Sequence, residues 1–161
     1  MSIDGEGTNH TSTTHIFTGV TSTTFGVGTD FRINGNYPYI TYCFTDIQGF
    51  SKSGKYIGNA STDGPFVYTG FKPAWIIIKA NSNYKYWSIH DNKRDTTNPN
   101  TARLAPSLQN AEDAVSGIDF LSNGFKIRDS GTTINENGTT ISYMAFAENP
   151  FVAGGVPTTA G

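Results

Sequence analysis

The chain has 161 residues, a formal net charge of −2 and a charged fraction of 15%, which is the size of one domain and well under the roughly 25% charge of an average soluble protein. It has no basic excess to neutralise phosphates, no stretch near the ~20 apolar residues of a membrane-spanning helix, and no charged-then-apolar leader at its start, so neither nucleic acid nor membrane is expected as a partner. Its single cysteine, Cys43, excludes an internal disulfide and a cysteine-built zinc site.

Eighteen glycines, 13% aromatic residues and leucine only at Leu104, Leu108 and Leu121 favour strands and tight turns over helices. Residues 1 to about 24 offer little to bury beyond Ile16, Phe17 and Val20. They read as an arm, or as a strand that needs a partner surface from elsewhere. Gly35-Asn36 reads as a turn into Tyr37–Phe44, where Ile40, Tyr42 and Phe44 alternate with Tyr39, Thr41 and Cys43 at the strand period. Gly49, Gly54, Gly58 and Gly64 then punctuate a segment that turns repeatedly.

Gly64-Pro65 precedes a short strand at Phe66–Thr69, and Lys72-Pro73 precedes Trp75–Lys79. That run is apolar at successive positions, which predicts a central strand covered on both faces, with Pro73 as a suitable first residue. Asn81-Ser-Asn83 turns the chain into Tyr84–His90, where the alternation places Trp87 and Ile89 inward, and the two strands are expected to pair as an antiparallel hairpin. Residues 91 to 117 read as loop, with room for a short helical turn at Ser107–Asp113. Gly117–Leu121 and Phe125–Arg128 read as strands about Ser122-Asn-Gly124, whose Asn-Gly pair is expected to supply a positive φ, and Thr140–Ala147 is the last strong strand.

Turn signals about eight to twelve residues apart, with no alternation of strands and helices, predict an all-β fold, an antiparallel β-sandwich or jelly roll. The expected organisation is a polar arm or partial strand pair over 1–36, a sandwich over 37–151 and a tail over 152–161. An internal echo runs through the chain. Phe25, Ile33-Asn34 and Ile40-Thr-Tyr42 resemble Phe125, Ile134-Asn135 and Ile141-Ser-Tyr143 about a hundred residues later. The echo reads either as the closing hairpin of a missing sister unit or as a chance match in a Thr/Tyr-rich chain.

Several blocks taken together carry a resemblance: Tyr42–Phe44, Gly49–Tyr56, Gly64–Trp75, Ala111–Asp113, Asp119–Lys126 and Tyr143–Phe151. In this order they resemble an uncharacterised domain family of structural proteins from tailed bacteriophages, found at the ends of tail-fibre or appendage proteins. The resemblance spans roughly residues 39 to 160. It implies a concanavalin- or laminin-G-like sandwich located on the virion, and it brings no catalytic residues.

The residues themselves are read as non-enzymatic. Glycoside hydrolysis needs two carboxylates about 5 to 9 Å apart across a cleft, whereas Glu112-Asp113 are sequence neighbours in a predicted loop and no strand shows alternating acids. His90-Asp91 and Asp95 read as a strand-end histidine with solvated turn aspartates, not as a metal site. Glu148 is expected to bind backbone amides where the last strand leaves the sheet. No catalytic residue, metal or cofactor is expected. The candidate contact residues are Tyr84 and Tyr86, facing away from Trp87, with Asp91 and Asn92 in the following loop; they suit an interface with another protein or, alternatively, a glycan. The expected partners are copies of the chain itself and other virion proteins, assembled for attachment or stabilisation in a fibre or on the head. The alternative is a receptor-binding lectin that recognises host surface carbohydrate.

Overall fold

The computed structural model describes residues 17–82, 85–150, 152–153 and 156–157. The chain divides into a smaller unit, Asn9–Phe44, and a larger one that takes in Thr45–Gly161. The division falls at Phe44/Thr45, some residues beyond the position 36/37 expected from composition.

In the smaller unit β1 (Phe17–Val20) pairs antiparallel with β2 (Phe25–Val27). Their turn is closed by Thr21, whose amide donates to Thr24 O at 2.8 Å and whose hydroxyl accepts from Thr24 N at 2.9 Å. One helical turn follows, α1 (Phe31–Asn34), and Tyr39 holds its end by donating its hydroxyl to Phe31 O at 2.8 Å and accepting from Gly35 N at 2.9 Å. The alternation over Tyr37–Phe44 does not produce a strand: no regular structure spans these residues, and the backbone of Ile40–Cys43 makes no hydrogen bond among the described residues. A period of two decides which side chains share a face; a ladder also needs a neighbouring strand.

The larger unit runs β3 (Ser51–Ile57), β4 (Phe66–Tyr68), β5 (Pro73–Ala80), β6 (Trp87–Asp91), β7 (Asn100–Arg103), β8 (Asp113–Leu121), β9 (Gly124–Ile127), the helical turn α2 (Thr132–Asn135) and β10 (Thr140–Ala147), then the short pair β11 (Val152–Ala153) and β12 (Val156–Pro157). Two four-stranded antiparallel sheets result, in the orders β3-β10-β5-β6 and β4-β9-β8-β7. Ile76, Ile78 and Ala80 of β5 and Ile141, Tyr143 and Ala145 of β10 pack from the first sheet against Val67, Ile118, Phe120, Phe125 and Ile127 of the second. This is an antiparallel β-sandwich.

β5 is the central strand the sequence predicts, beginning at Pro73 and buried from Ile76 to Ala80, and it pairs with β6 as expected. Three readings are corrected. The faces of β6 are reversed: Ser88 and His90 lie opposite Ile78 and Ile76 and so share the face that meets the second sheet, while Trp87 and Ile89 lie opposite Lys79 and Ile77 on the other side, where Trp87 is buried all the same. The stretch read as loop contains β7 and the first half of β8, and no helix forms at Ser107–Asp113. The Asn123-Gly124 turn uses no positive φ. Gly124 is needed for closeness instead, because a Cβ there would stand 2.1 Å from Val67 O on the neighbouring strand.

The sheets are joined at one corner. Ile89 N donates to Leu104 O at 2.8 Å and Leu104 N returns the bond to Ile89 O at 3.0 Å, linking β6 to the segment leaving β7. Replacing the fully buried Ile78 by alanine should cost about 2–5 kcal/mol in urea unfolding, while Tyr68→Ala on the exposed face of β4 should change stability by about 0.5 kcal/mol or less.

Candidate functional site

The predicted contact residues surround the loop that leaves β6. Tyr84 lies outside the described residues. Tyr86 is half-buried just before β6. Asp91 ends β6, and Asn92 begins the loop.

Asp91 is turned inward on its own loop. Its Oδ1 accepts from Lys93 N at 3.0 Å and Arg94 N at 2.9 Å, and its Oδ2 accepts from Arg94 Nε at 2.5 Å. Burial alone would raise this carboxyl; the Arg94 and Lys93 bonds outweigh it and hold the group below the usual carboxylate range. Arg94 also reaches Glu112, so one guanidinium ties the loop to the approach to β8.

Asp95 organises the rest of the loop. Its carboxylate accepts from the Thr97 hydroxyl at 2.6 Å, Thr97 N at 3.0 Å and Thr101 N at 2.8 Å. The Thr97 hydroxyl first, then these amides, favour the charged form and pull the pKa well down. Asn98 bonds both ways with β8, donating to Phe120 O at 3.0 Å and accepting from Phe120 N at 3.0 Å.

Beneath the loop lies a buried pair, His90 and Asn100. The Asn100 amide nitrogen donates to Asp91 O at 2.8 Å and Asp95 O at 2.7 Å, which leaves its Oδ1 to face His90 Nδ1 at 3.1 Å. His90 Nδ1 therefore carries the proton and Nε2 is the bare lone pair, buried without a hydrogen-bond partner. Burial, reinforced by Arg94 and Arg103, pushes the imidazole pKa down to about 4. Arg103 is itself held by Asp113, with Nε–Oδ1 at 2.8 Å and a second bond from Nη2 to Oδ2. The expectation of a strand-end histidine among solvated aspartates is thus overturned: His90 is a core residue, and its neighbours are bonded into the loop.

A second cluster sits at the same end of the first sheet, and little in the sequence points to it. Asn92 Nδ2 donates to Glu148 Oε1 at 2.8 Å, and Lys72 Nζ pairs with Glu148 Oε2 at 2.8 Å. The Lys72 ammonium is the main cause that keeps the Glu148 carboxyl below its usual range. Glu148 thus meets side chains here, where backbone amides were expected. Two residues before Glu148, Phe146 of β10 lies opposite Trp75 with ring centroids 5.7 Å apart, and Phe50 meets Phe146 edge-on at 5.9 Å. Asn92 Oδ1 is buried with no partner. Trp75 and Phe146 stand one position out of phase with the core residues Ile76 and Ala145, which sets them on the other face of the sheet.

These parts define the class: an antiparallel β-sandwich protein in which a network of polar groups holds a long loop across one sheet end. By sequence the chain belongs to a family described as a domain of unknown function, DUF7483, matched over residues 1–150. No curated protein and no solved structure matches.

The buried imidazole has a measurable signature. The unfolded chain binds a proton at His90 near pH 6.5, the folded chain only near pH 4. The stabilisation from keeping the ring neutral is complete above pH 6.5 and is lost as pH falls towards 4, on the order of 3 kcal/mol for this one group. Urea unfolding from pH 7 to pH 4 should show this loss, and His90→Asn should remove most of it.

Proposed function

We propose that this protein is a non-enzymatic structural component of a bacteriophage virion, displayed on the particle exterior in a tail fibre or appendage or as capsid decoration, and that it assembles as a multimer for attachment or stabilisation. The observation that carries the assembly reading is the surface of the smaller unit, where Val20, Phe31, Tyr37, Ile40, Tyr42 and Phe44 are all exposed. A protein that works alone rarely leaves so many large apolar groups in water over so short a stretch. Weak charge, a surface rich in Thr, Ser and Asn, and the resemblance to phage structural proteins support the location. Multivalent display suits the rest, since weak contacts repeated across copies combine through effective concentration.

Two measurements test this. Mass spectrometry and immunogold labelling of gradient-purified particles of the encoding phage should find the chain on the outside; its absence from particles would refute the location. Light scattering should show the full chain as a multimer and a chain lacking residues 1–44 as a folded monomer.

A second reading, a carbohydrate-binding module, rests on the Trp75–Phe146–Phe50 cluster beside the Asn92–Glu148–Lys72 group, an aromatic surface next to convergent polar atoms. Under that reading a glycan array shows saturable binding that Trp75→Ala abolishes, and Asn92→Ala weakens it about tenfold.

A further inference from the structure

The smaller unit repeats the closing part of the sandwich. There the chain runs β8, turn, β9, α2, β10; in the smaller unit it runs β1, turn, β2, α1 and then Tyr39–Phe44. Both helical turns end on an asparagine, and the two asparagines make the same bonds. Asn34 N donates to Asp30 O at 2.9 Å and Nδ2 to Gly28 O at 2.8 Å. Asn135 N donates to Gly131 O at 3.1 Å and Nδ2 to Asp129 O at 2.6 Å. At this same spacing Ile33 matches Ile134, Ile40 matches Ile141, Thr41 matches Ser142 and Tyr42 matches Tyr143. Phe25 and Val27 match Phe125 and Ile127, the sandwich's loop being one residue longer. A sequence echo alone can be chance; matched side-chain-to-backbone bonds at matched positions are an independent agreement.

Burial is what differs. Ile141 and Tyr143 are 0% and 7% exposed, Ile40 and Tyr42 82% and 77%. β10 lies between β3 and β5, with the Tyr143 ring against Gly54, whereas Ile40–Cys43 has no hydrogen-bonded neighbour among the described residues. Asn135 also accepts from Asn59 N at 2.9 Å and donates to Ser61 O at 2.8 Å, and among the described residues Asn34 has no counterpart of either bond. The smaller unit therefore has the local structure of a sandwich's end without the strands that would cover it.

We infer that residues 17–44 are the closing part of a second sandwich of this kind, and that Tyr39–Phe44 is a strand that inserts into a partner supplying the counterparts of β3–β7. The sandwich of a second copy is no acceptor, because its own β10 fills the position. The partner is a sandwich half with that central slot open: flanking strands like β3 and β5, a glycine opposite Tyr42 as Gly54 stands opposite Tyr143, and a polar loop like Asn59–Ser61 to complete Asn34. Main-chain bonds to both sides give the affinity and the alternating side chains give the specificity. This deepens the assembly reading above by naming what covers the exposed surface, and it does not depend on the virion.

The test extends the full chain at its N-terminus with a second copy of its own residues 45–112, the β3–β7 half, and carries Phe44→Ala to match Ala145. Hydrogen exchange at the Ile40–Cys43 amides is compared with that of the unextended chain. The expected result is slowing of about a hundredfold or more, with the added half unfolding cooperatively and Tyr42→Asp restoring fast exchange. Unchanged exchange, an added half that stays unfolded, or protection that survives Tyr42→Asp would each overturn the inference. Such a failure leaves the virion reading standing, and absence of the chain from particles leaves the strand insertion standing.

Discussion

The sandwich depends on one aromatic contact between its sheets. Phe125 of β9 stands edge-on to Tyr143 of β10 at 5.2 Å and to Tyr56 of β3 at 6.2 Å, so one ring from the second sheet sits between two from the first. Edge-to-face rings add to the apolar burial they bring. The arrangement fixes other choices. Tyr143 crosses the neighbouring strand, so Gly54 there has no room for a side chain, since a Cβ would meet the ring at 3.0 Å and the hydroxyl at 2.8 Å. The Tyr56 hydroxyl, buried with its ring, donates to Ile134 O at 2.6 Å and so anchors α2 over the sheet edge. Desolvation at that position strongly favours the neutral phenol.

At the opposite side of the first sheet a polar network replaces aromatic packing. His90 enters the core on β6 only because Asn100 returns from β7 to meet it, and Asn100 in turn closes the loop by bonding to Asp91 O and Asp95 O. Asp95 and Asn98 bind that loop to β7 and β8. Loop residues that looked available for a ligand are committed to the fold, and the half-buried aromatic pair at Trp75 and Phe146 is the more open surface nearby. Among the described residues, buried side-chain atoms without a hydrogen-bond partner include His90 Nε2 and Ser88 Oγ, both on the core face of β6.

How much of this the sequence made legible follows from what each element relies on. β5 could be read because four of its five successive buried positions, Ile76, Ile77, Ile78 and Ala80, are apolar and cover both faces, and the hairpin of β8 and β9 because an Asn-Gly turn separates two short apolar runs. β7, Asn-Thr-Ala-Arg, could not, because its inward residues are Asn100 and Arg103, polar groups whose partners Asp113 and His90 lie elsewhere in the chain. Alternation over β6 gave the correct pairing of side chains but the wrong face, since Trp87 and Ile89 look like core residues and Ser88 and His90 do not. The strand read at Tyr37–Phe44 had every local feature of β10 and lacked only neighbours, which no local pattern can report. The candidate site shared part of that difficulty: Asp91 and Asn92 were identifiable as loop polars, but Asp91 is occupied by Arg94 of its own loop and Asn92 by Glu148, which follows β10 far along the chain.

The register of β3 against β10 carries a mechanical consequence. Ser51, where β3 begins, pairs with Phe146, near where β10 ends, so the polypeptide enters and leaves the sandwich side by side. A fold whose two ends meet can sit as a lateral bud on a longer polypeptide without interrupting its path. Tension applied to those ends would part the β3–β10 rungs in succession from that margin, so the first thing to give under load is the outermost rung rather than the aromatic centre.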